Sequence, residues 1–374
     1  MKKIFLSSAL LCGTIFLFAQ TQLAPSLQAP QFYDITAVKA TSVKDQAKTG
    51  TCWCFATTSL LESEEIRRNN EEIDLSEMFT VRNIYIEKAK NYILRGGKAQ
   101  FGEGGLGHDE IRAVALYGAV PEREYSGLLN GHTSHDHIDF SRDLKNYLDS
   151  ILNKQPIAND WLDGFTKILD KYLGVPPKDF SYKGKKFTAI SFAKEVLHFD
   201  ANDYVSLTSF THQPYYQPFI LQVPDNFANG FFYNLPLNEL MQAIKDAISN
   251  GYTVSWDADV SNRGFMSSAG LALNIEAPAK DVNPDSQELP YDATIRQRLY
   301  ENLTTQDDHL MHITGVEKSK GGKTFFVVKN SWGKTGPFEG YINVSEAYLA
   351  INTISIVVPK AALTKELLAK LNIK

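Results

Sequence analysis

The chain has 374 residues, three cysteines and a formal net charge of −5, with 43% hydrophobic and 22% charged residues. This ordinary globular balance excludes a disordered chain, a collagen-like chain and a disulfide-dense miniprotein, and the length suggests two structural units or one large domain carrying an insertion. The acidic excess argues against a phosphate-gripping protein, so nucleic acid is not an expected partner.

The chain opens with Lys2 and Lys3, an apolar run from Ile4 to Ala19, and polar residues from Gln20. That is the layout of a secretory signal peptide with cleavage after Ala19. The run is short for a membrane span, and Cys12 lies inside it with apolar residues on both sides. The expectation is an exported protein, periplasmic or secreted, with a mature chain at 20–374 that has no further apolar run of membrane length.

Residues 20–40 read as an extended lead-in. Cys52 to about Arg68 lacks Pro and Gly and suits a helix. Ser76 is a plausible N-cap for a second helix, with Met78, Val81, Tyr85, Ala89 and Tyr92 on one face and Gly96-Gly97 at its end. A short helix from Asp109 to Tyr117 stops at Gly118. The stretch 130–235 reads as a mainly helical insertion, with Leu162, Phe165, Leu169 and Tyr172 at helical spacing. Leu237, Leu240, Met241, Ile244 and Ile248 mark an amphipathic helix that leads into a strand at Tyr252 to Trp256. The remainder turns to strands: Ile313 to Val316, Phe325 to Val328, Tyr341 to Val344 and Ile354 to Val358. A helical front and a β-rich back imply an α+β architecture.

Two segments could carry chemistry. The first is Gln46-x-x-x-Gly50-Thr51-Cys52-Trp53. Cys52 stands where a Gly-containing loop enters a helix, and exposed N–H groups at a helix N-terminus favour a thiolate. Gln46 could donate a side-chain N–H to an oxyanion. Taken alone, Cys52 reads first as a buried structural cysteine. The second segment is Asp308-His309 followed by Asn330-Ser331-Trp332-Gly333. A thiolate needs an imidazole to share its proton, and the imidazole needs an acceptor that fixes its tautomer. Adjacent strands joined by a hairpin can bring His309 and Asn330 together. The order Cys, His, Asn is what favours chemistry over three unrelated residues.

On these residues the sequence resembles the papain-like cysteine peptidases, whose signature around the nucleophile is a Cys-Trp pair following a Gly-containing loop. The resemblance implies that Cys52 is the nucleophile, His309 the base, Asn330 its orienting partner and Gln46 the oxyanion donor. It implies further that Gly104 and Gly105 pair with the substrate backbone, and that Trp332 covers the His–Asn contact. Asp308 is placed with it as a supporting residue. The family's usual cysteine bridge is absent, with Thr49 at one of its positions. The distance from Cys52 to His309 exceeds the usual ~130–150 residues, which points to the aminopeptidase C and bleomycin hydrolase branch. Leu75-Ser76-Glu77, Gly118-Ala119-Val120-Pro121 and Tyr172-Leu173-Gly174-Val175-Pro176-Pro177 are similar to that branch in the same order.

The resemblance implies a two-lobed papain-like fold, with a helical left lobe, a β-barrel-like right lobe and the helical insertion. It implies peptide-bond hydrolysis through a thioester acyl-enzyme, aminopeptidase activity, peptide substrates and a homo-oligomer, a hexamer in this branch. No metal or cofactor is expected. The tract His132, His135, Asp136 and His137 reads as a polar loop, and His312 as structural. The tail after Val358 is short, with one helix over Leu363 to Leu371, so an endopeptidase or broader peptidase is an alternative. A transglutaminase-like acyl transferase and a catalytically silent peptide-binding protein are further alternatives.

Overall fold

The computed structural model describes residues 30–154 and 156–373; the expected signal peptide lies outside them. The chain begins with strand β1 (Tyr33–Ala37), then helices α1 (Cys52–Asn69), α2 (Glu77–Leu94) and α3 (Gly107–Tyr117). The Ser76 hydroxyl accepts from the Phe79 N–H at the head of α2, as its N-cap position requires. The expected apolar face of α2, Met78 to Tyr92, is buried at all five positions.

The region expected to be a mainly helical insertion has its two long helices in its first half, and one short helix among strands in its second. Helices α4 (Ile138–Leu152) and α5 (Trp161–Leu173) pack through Phe140, Leu144, Leu148, Phe165, Leu169 and Leu173. A small hairpin, β2 (Phe180–Tyr182) and β3 (Lys185–Phe187), and helix α6 (Ala189–Glu195) follow. Then come strands β4 (Tyr204–Thr208), β5 (Pro218–Ile220) and β6 (Phe231–Asn234). Strand β4 pairs with the C-terminal strand of the sheet and is buried at every position. Its residues alternate, Val205 and Leu207 with Ser206 and Thr208, but over only five positions, too short a run to stand out from the helices around it.

The second half contains α7 (Leu237–Ser249), β7 (Val254–Ala258), β8 (Phe265–Met266), β9 (Leu271–Ala272) and α8 (Ala293–Glu301). It continues with β10 (His309–Lys318), β11 (Thr324–Lys329), β12 (Tyr341–Ser345), α9 (Glu346–Asn352), β13 (Thr353–Pro359) and α10 (Lys365–Lys370). Its strands join β1 and β4–β6 in one open sheet ordered β5-β6-β4-β13-β7-β10-β11-β12-β9-β8, with β1 on the far part of β10. Among the described residues no pairing closes this sheet into a full barrel. Strand β10 pairs first with β7 and then with β1 and β11, with an irregularity between Ile313 and Gly315. A Cβ on Gly315 would press on the Thr36 carbonyl at 2.8 Å, so the crossing needs glycine there.

Among the described residues two large apolar cores result, with a small third cluster of Leu271, Leu273 and Phe325. One gathers α1 to α6, the other α7, α9 and the central strands. Helix α1 lies at their boundary and is buried along most of its length. Thr57 on α1 hydrogen-bonds Ser255 on β7 at 2.9 Å, and Ser59 meets His312 Nδ1 on β10 at 2.9 Å. His312 is therefore a packing residue between the lobes. Among the described residues no helix is long and apolar enough to cross a membrane.

Candidate active site

Cys52 is the first residue of α1, and the next helical hydrogen bonds run from the Cys54 and Phe55 N–H groups to the Thr51 carbonyl. The N–H of Cys52 therefore belongs to the unpartnered first turn, where positive charge accumulates. After burial, the largest influence on the Cys52 thiol is the backbone N–H of Leu310, the residue after His309, which favours the thiolate. The packing of α1 on β10 thus delivers the thiol to the strand that carries the imidazole.

His309 Nε2 lies 2.7 Å from Asn330 Oδ1. The Ser331 N–H donates to the same oxygen at 2.8 Å, which fixes the amide's orientation. Oδ1 can only accept, so Nε2 carries the hydrogen and Nδ1 is left as the basic atom. The Trp332 ring lies over the imidazole, with centroids 4.6 Å apart, and shields this contact from water.

Gln46 is buried and tied in place. Its Nε2 donates to the Thr49 carbonyl at 2.7 Å, its Oε1 accepts from the Ser331 hydroxyl at 2.6 Å, and its N–H donates to the Ser331 carbonyl at 2.9 Å. One amide N–H of Gln46 is thereby committed to its own loop and the second remains for a ligand. Gly105 lies against the Trp53 indole, whose Nε1 donates to the Glu103 carbonyl at 2.9 Å. Asp308 does not turn toward the imidazole. Its Oδ2 accepts from the Ser261 N–H at 3.1 Å and so fastens the loop after β7.

Burial pushes the Cys52 thiol up to about 12 and the His309 imidazole down to about 4. Each value reflects the penalty of a lone charge in a closed site. Passing the proton from sulfur to Nδ1 creates both charges together, and their attraction offsets part of that penalty. The Leu310 N–H and Asn330 Oδ1 stabilise the thiolate and the imidazolium respectively.

The sequence left several contributors unread. Glu103 accepts from the Gly50 N–H at 2.8 Å, meets His137 Nδ1 at 3.2 Å and accepts from Ser141 at 2.5 Å, linking the loop before Cys52 to α4. Cys54, two residues after Cys52, is buried and donates to Glu110 Oε2 at 3.0 Å. Both cysteines are free. Asp136 pairs with Lys48 at 3.1 Å, so the histidine-rich loop braces the segment between Gln46 and Cys52.

A helix-borne cysteine facing a strand-borne His–Asn pair, across the junction of a helical and a β lobe, defines the papain-like class of cysteine peptidase. Residues 114–374 match the Peptidase C1-like family and residues 29–83 the papain family of cysteine proteases. The chain belongs to the Peptidase C1-like family. It is 26% identical to an aminopeptidase C of Listeria monocytogenes, over 90% of this chain and 84% of the relative. It is 23% identical to a bleomycin hydrolase of Gallus gallus, over 87% and 82%. Among solved structures, PepW from Lactobacillus rhamnosis superposes with a TM-score of 0.73 at 19% identity, covering 91% of this chain and 84% of that one.

Proposed function

We propose that this chain is a cysteine aminopeptidase that hydrolyses peptides through a thioester acyl-enzyme. The observation that carries the reading is the His309–Asn330 contact, with His309 on the strand β10 against which α1 packs and Cys52 at the head of that helix. Cys52 gives its proton to His309 Nδ1 and attacks the scissile carbonyl. The oxyanion that forms is held by the Cys52 N–H at the head of α1 and by the free N–H of Gln46 Nε2. His309 then protonates the leaving amine, and the thioester remains. In the second half His309 takes a proton from water, hydroxide adds to the thioester, and the thiol leaves as the acid is released. Asn330 holds the imidazole in the tautomer that leaves Nδ1 toward the sulfur. Gly104 and Gly105 offer backbone to the peptide on the acyl side.

Release of single N-terminal residues distinguishes this reading from an endopeptidase. Aminopeptidase C relatives over most of the chain favour the exopeptidase. The tail supports only part of that picture: Leu367 and Leu371 are buried in the second core and Lys370 pairs with Glu239 of α7 at 3.3 Å. Among the described residues, no hydrogen bond joins 360–373 to the segment 45–54 or to 307–310. Hydrolysis of aminoacyl-4-methylcoumarin substrates, lost in Cys52→Ala, tests the assignment. Export is proposed from the charged start, apolar run and Ala19. A homo-oligomer, a hexamer, is proposed from the family resemblance, and light scattering of the purified chain tests it.

A further inference from the structure

The segment that leads into the catalytic loop encloses a cavity of about 660 Å³ against the second half of the sheet. One wall is β1 and residues 38–43; the other is β10–β12 and the loop 334–339. The volume lies within the range of roughly 300–1,000 Å³ common for small-molecule sites. Gln46, Cys52, His309 and Asn330 are not among the residues that line it.

The lining is mostly apolar. Phe32 meets Phe325 edge-on with centroids 5.1 Å apart and lies 6.1 Å from Phe338, and Ile35 of β1 is 59% exposed. Strand β10 places a carboxyl group in this setting. Glu317 stands opposite Phe325 in register and is 4% exposed. Its Oε1 is buried without a hydrogen-bond donor among the described residues. Burial raises the carboxyl to about 7, and no charged neighbour contributes. A buried carboxyl normally finds a partner, because leaving it unmet is costly. The other charged residues of the lining, Lys334 and Glu339, are exposed on the 334–339 loop, and Tyr341 is its remaining titratable residue. Among the described residues no group of three or more His, Cys, Asp or Glu is disposed to hold a metal ion. The chemistry asks for a partner in two parts: a charged donor for Glu317 and an apolar body for the walls.

We propose that this cavity binds a small amphipathic amine, whose ammonium pairs with Glu317 and whose apolar body packs on Phe32, Ile35, Val327 and Phe338. The proposal does not rest on the peptidase reading. The walls nonetheless continue into the catalytic segments. Residues 40–43 run into Lys44 and Gln46, and the loop 334–339 follows Asn330 and Trp332. Val43 packs on Gly340, where a Cβ would lie 2.7 Å from the valine Cγ1, and the Gly340 carbonyl accepts from the Asn330 N–H at 3.1 Å. A bound amine therefore sits against the supports of both Gln46 and Asn330.

The test is a ligand-detected NMR titration of the full chain with phenethylamine, phenethyl alcohol and phenylacetate. The amine is expected to bind at least about 10-fold more tightly than the other two, because only it makes a charge-assisted hydrogen bond to Glu317. Glu317→Gln should weaken the amine by about 10–100-fold and leave the alcohol unchanged. An ammonium favours the ionised carboxylate, so wild-type affinity should fall as pH drops from 8 to 6. Glu317→Gln should lose that dependence, which a merely structural role would not produce. Alkylation of Cys52 by iodoacetamide should leave amine binding unchanged. Phe338→Ala should weaken amine and alcohol alike, which keeps the test open if Glu317→Gln does not fold. Equal affinity for amine and alcohol, or unchanged amine binding in folded Glu317→Gln or Phe338→Ala, would overturn the proposal. So would loss of binding on alkylation, which would put the amine in the catalytic cleft, and a preference for phenylacetate, which would give the recognition to Lys334. Absence of binding by the full chain would also overturn it, leaving the cavity to the residues before Pro30 or to a second copy.

Discussion

Replacing Asn330 by alanine isolates the orienting element of the site. Asn330 Oδ1 accepts two hydrogen bonds, one from His309 Nε2 at 2.7 Å and one from the Ser331 N–H at 2.8 Å. His309 is 4% exposed and Trp332 covers its ring, so water does not readily replace the lost acceptor. A buried N–H left without a partner costs about 1–3 kcal/mol. At about 1.36 kcal/mol per tenfold in rate, that is a loss of roughly 5–150-fold in kcat/KM. The imidazole can also exchange tautomers, which removes the basic Nδ1 from part of the population. His309→Ala removes the proton carrier itself and should cost roughly 10⁴-fold or more. Asn330→Gln, which can restore an acceptor, should recover part of the rate. The assay is steady-state hydrolysis of an aminoacyl fluorogenic substrate, with circular dichroism to confirm folding. Wild-type kinetics in folded Asn330→Ala would refute the orienting role, and a loss equal to that of His309→Ala would show that orientation and proton transfer cannot be separated here.

Cys52→Ala should abolish turnover, whereas Cys54→Ala should keep partial activity at lower thermal stability because Glu110 loses its thiol donor; a dead, folded Cys54→Ala beside an active Cys52→Ala would reverse the assignment. Gln46→Ala should lower kcat by roughly 10²–10³ with little change in KM, because its free N–H acts on charge that exists only in the transition state; an unchanged kcat would remove Gln46 from the oxyanion site. Burial raises the Glu110 carboxyl to about 8, above its ordinary 4.5. The folded state therefore holds a proton that the unfolded state releases, and this stability is full below about pH 4.5 and lost as pH rises through about 8. Glu110→Gln should flatten the fall in melting temperature between pH 5 and 9, and an identical pH profile in wild type and variant would contradict the protonated state. A chain ending at Leu371 should keep the wild-type ratio of free to acetylated peptide cleavage if the tail does not read the N-terminus; a changed ratio would give that role to Asn372–Lys374.

The candidate site residues were legible because each sits at a local boundary that the sequence marks. Cys52 begins a Pro- and Gly-free segment after Gly50, and Asn330 ends a β-branched run. The β2–β6 region was not legible, since its strands are only three to five residues long and Tyr204–Thr208 is buried at every position, polar ones included. Its partner β13 lies far along the chain, and local periodicity carries no such pairing. His309, expected on one of two adjacent strands, is the first residue of β10 and pairs with Ala258. Asp257 lies one residue past the expected strand Tyr252 to Trp256, and a carboxylate on a buried strand has meaning only once β10 and β13 flank it.

The site is assembled from four segments, and the ties between them explain why so many charges are buried under α1. Lys44, two residues before Gln46, pairs with Asp74 at 2.6 Å, Glu77 at 2.7 Å and Glu62 at 3.2 Å. One ammonium thus clamps the Gln46 loop to α1 and α2. Glu62 also accepts from the Leu75 N–H at 2.9 Å and from Thr41, and Lys329 beside it donates to Thr41 and to Ser59 at 3.0 and 2.7 Å. Lys329 immediately precedes Asn330, so the same network that holds the oxyanion loop also holds the residue that orients the imidazole. Apolar packing could supply equal stability at these positions, because a buried ion pair repays little of its desolvation. It could not fix direction as tightly, since hydrogen bonds constrain angle as well as distance. The Gly333 N–H donating to the Lys44 carbonyl and the Ser331–Gln46 contacts close the loop between the two segments. Loosening any of these ties moves Gln46 and Asn330 together, relative to Cys52.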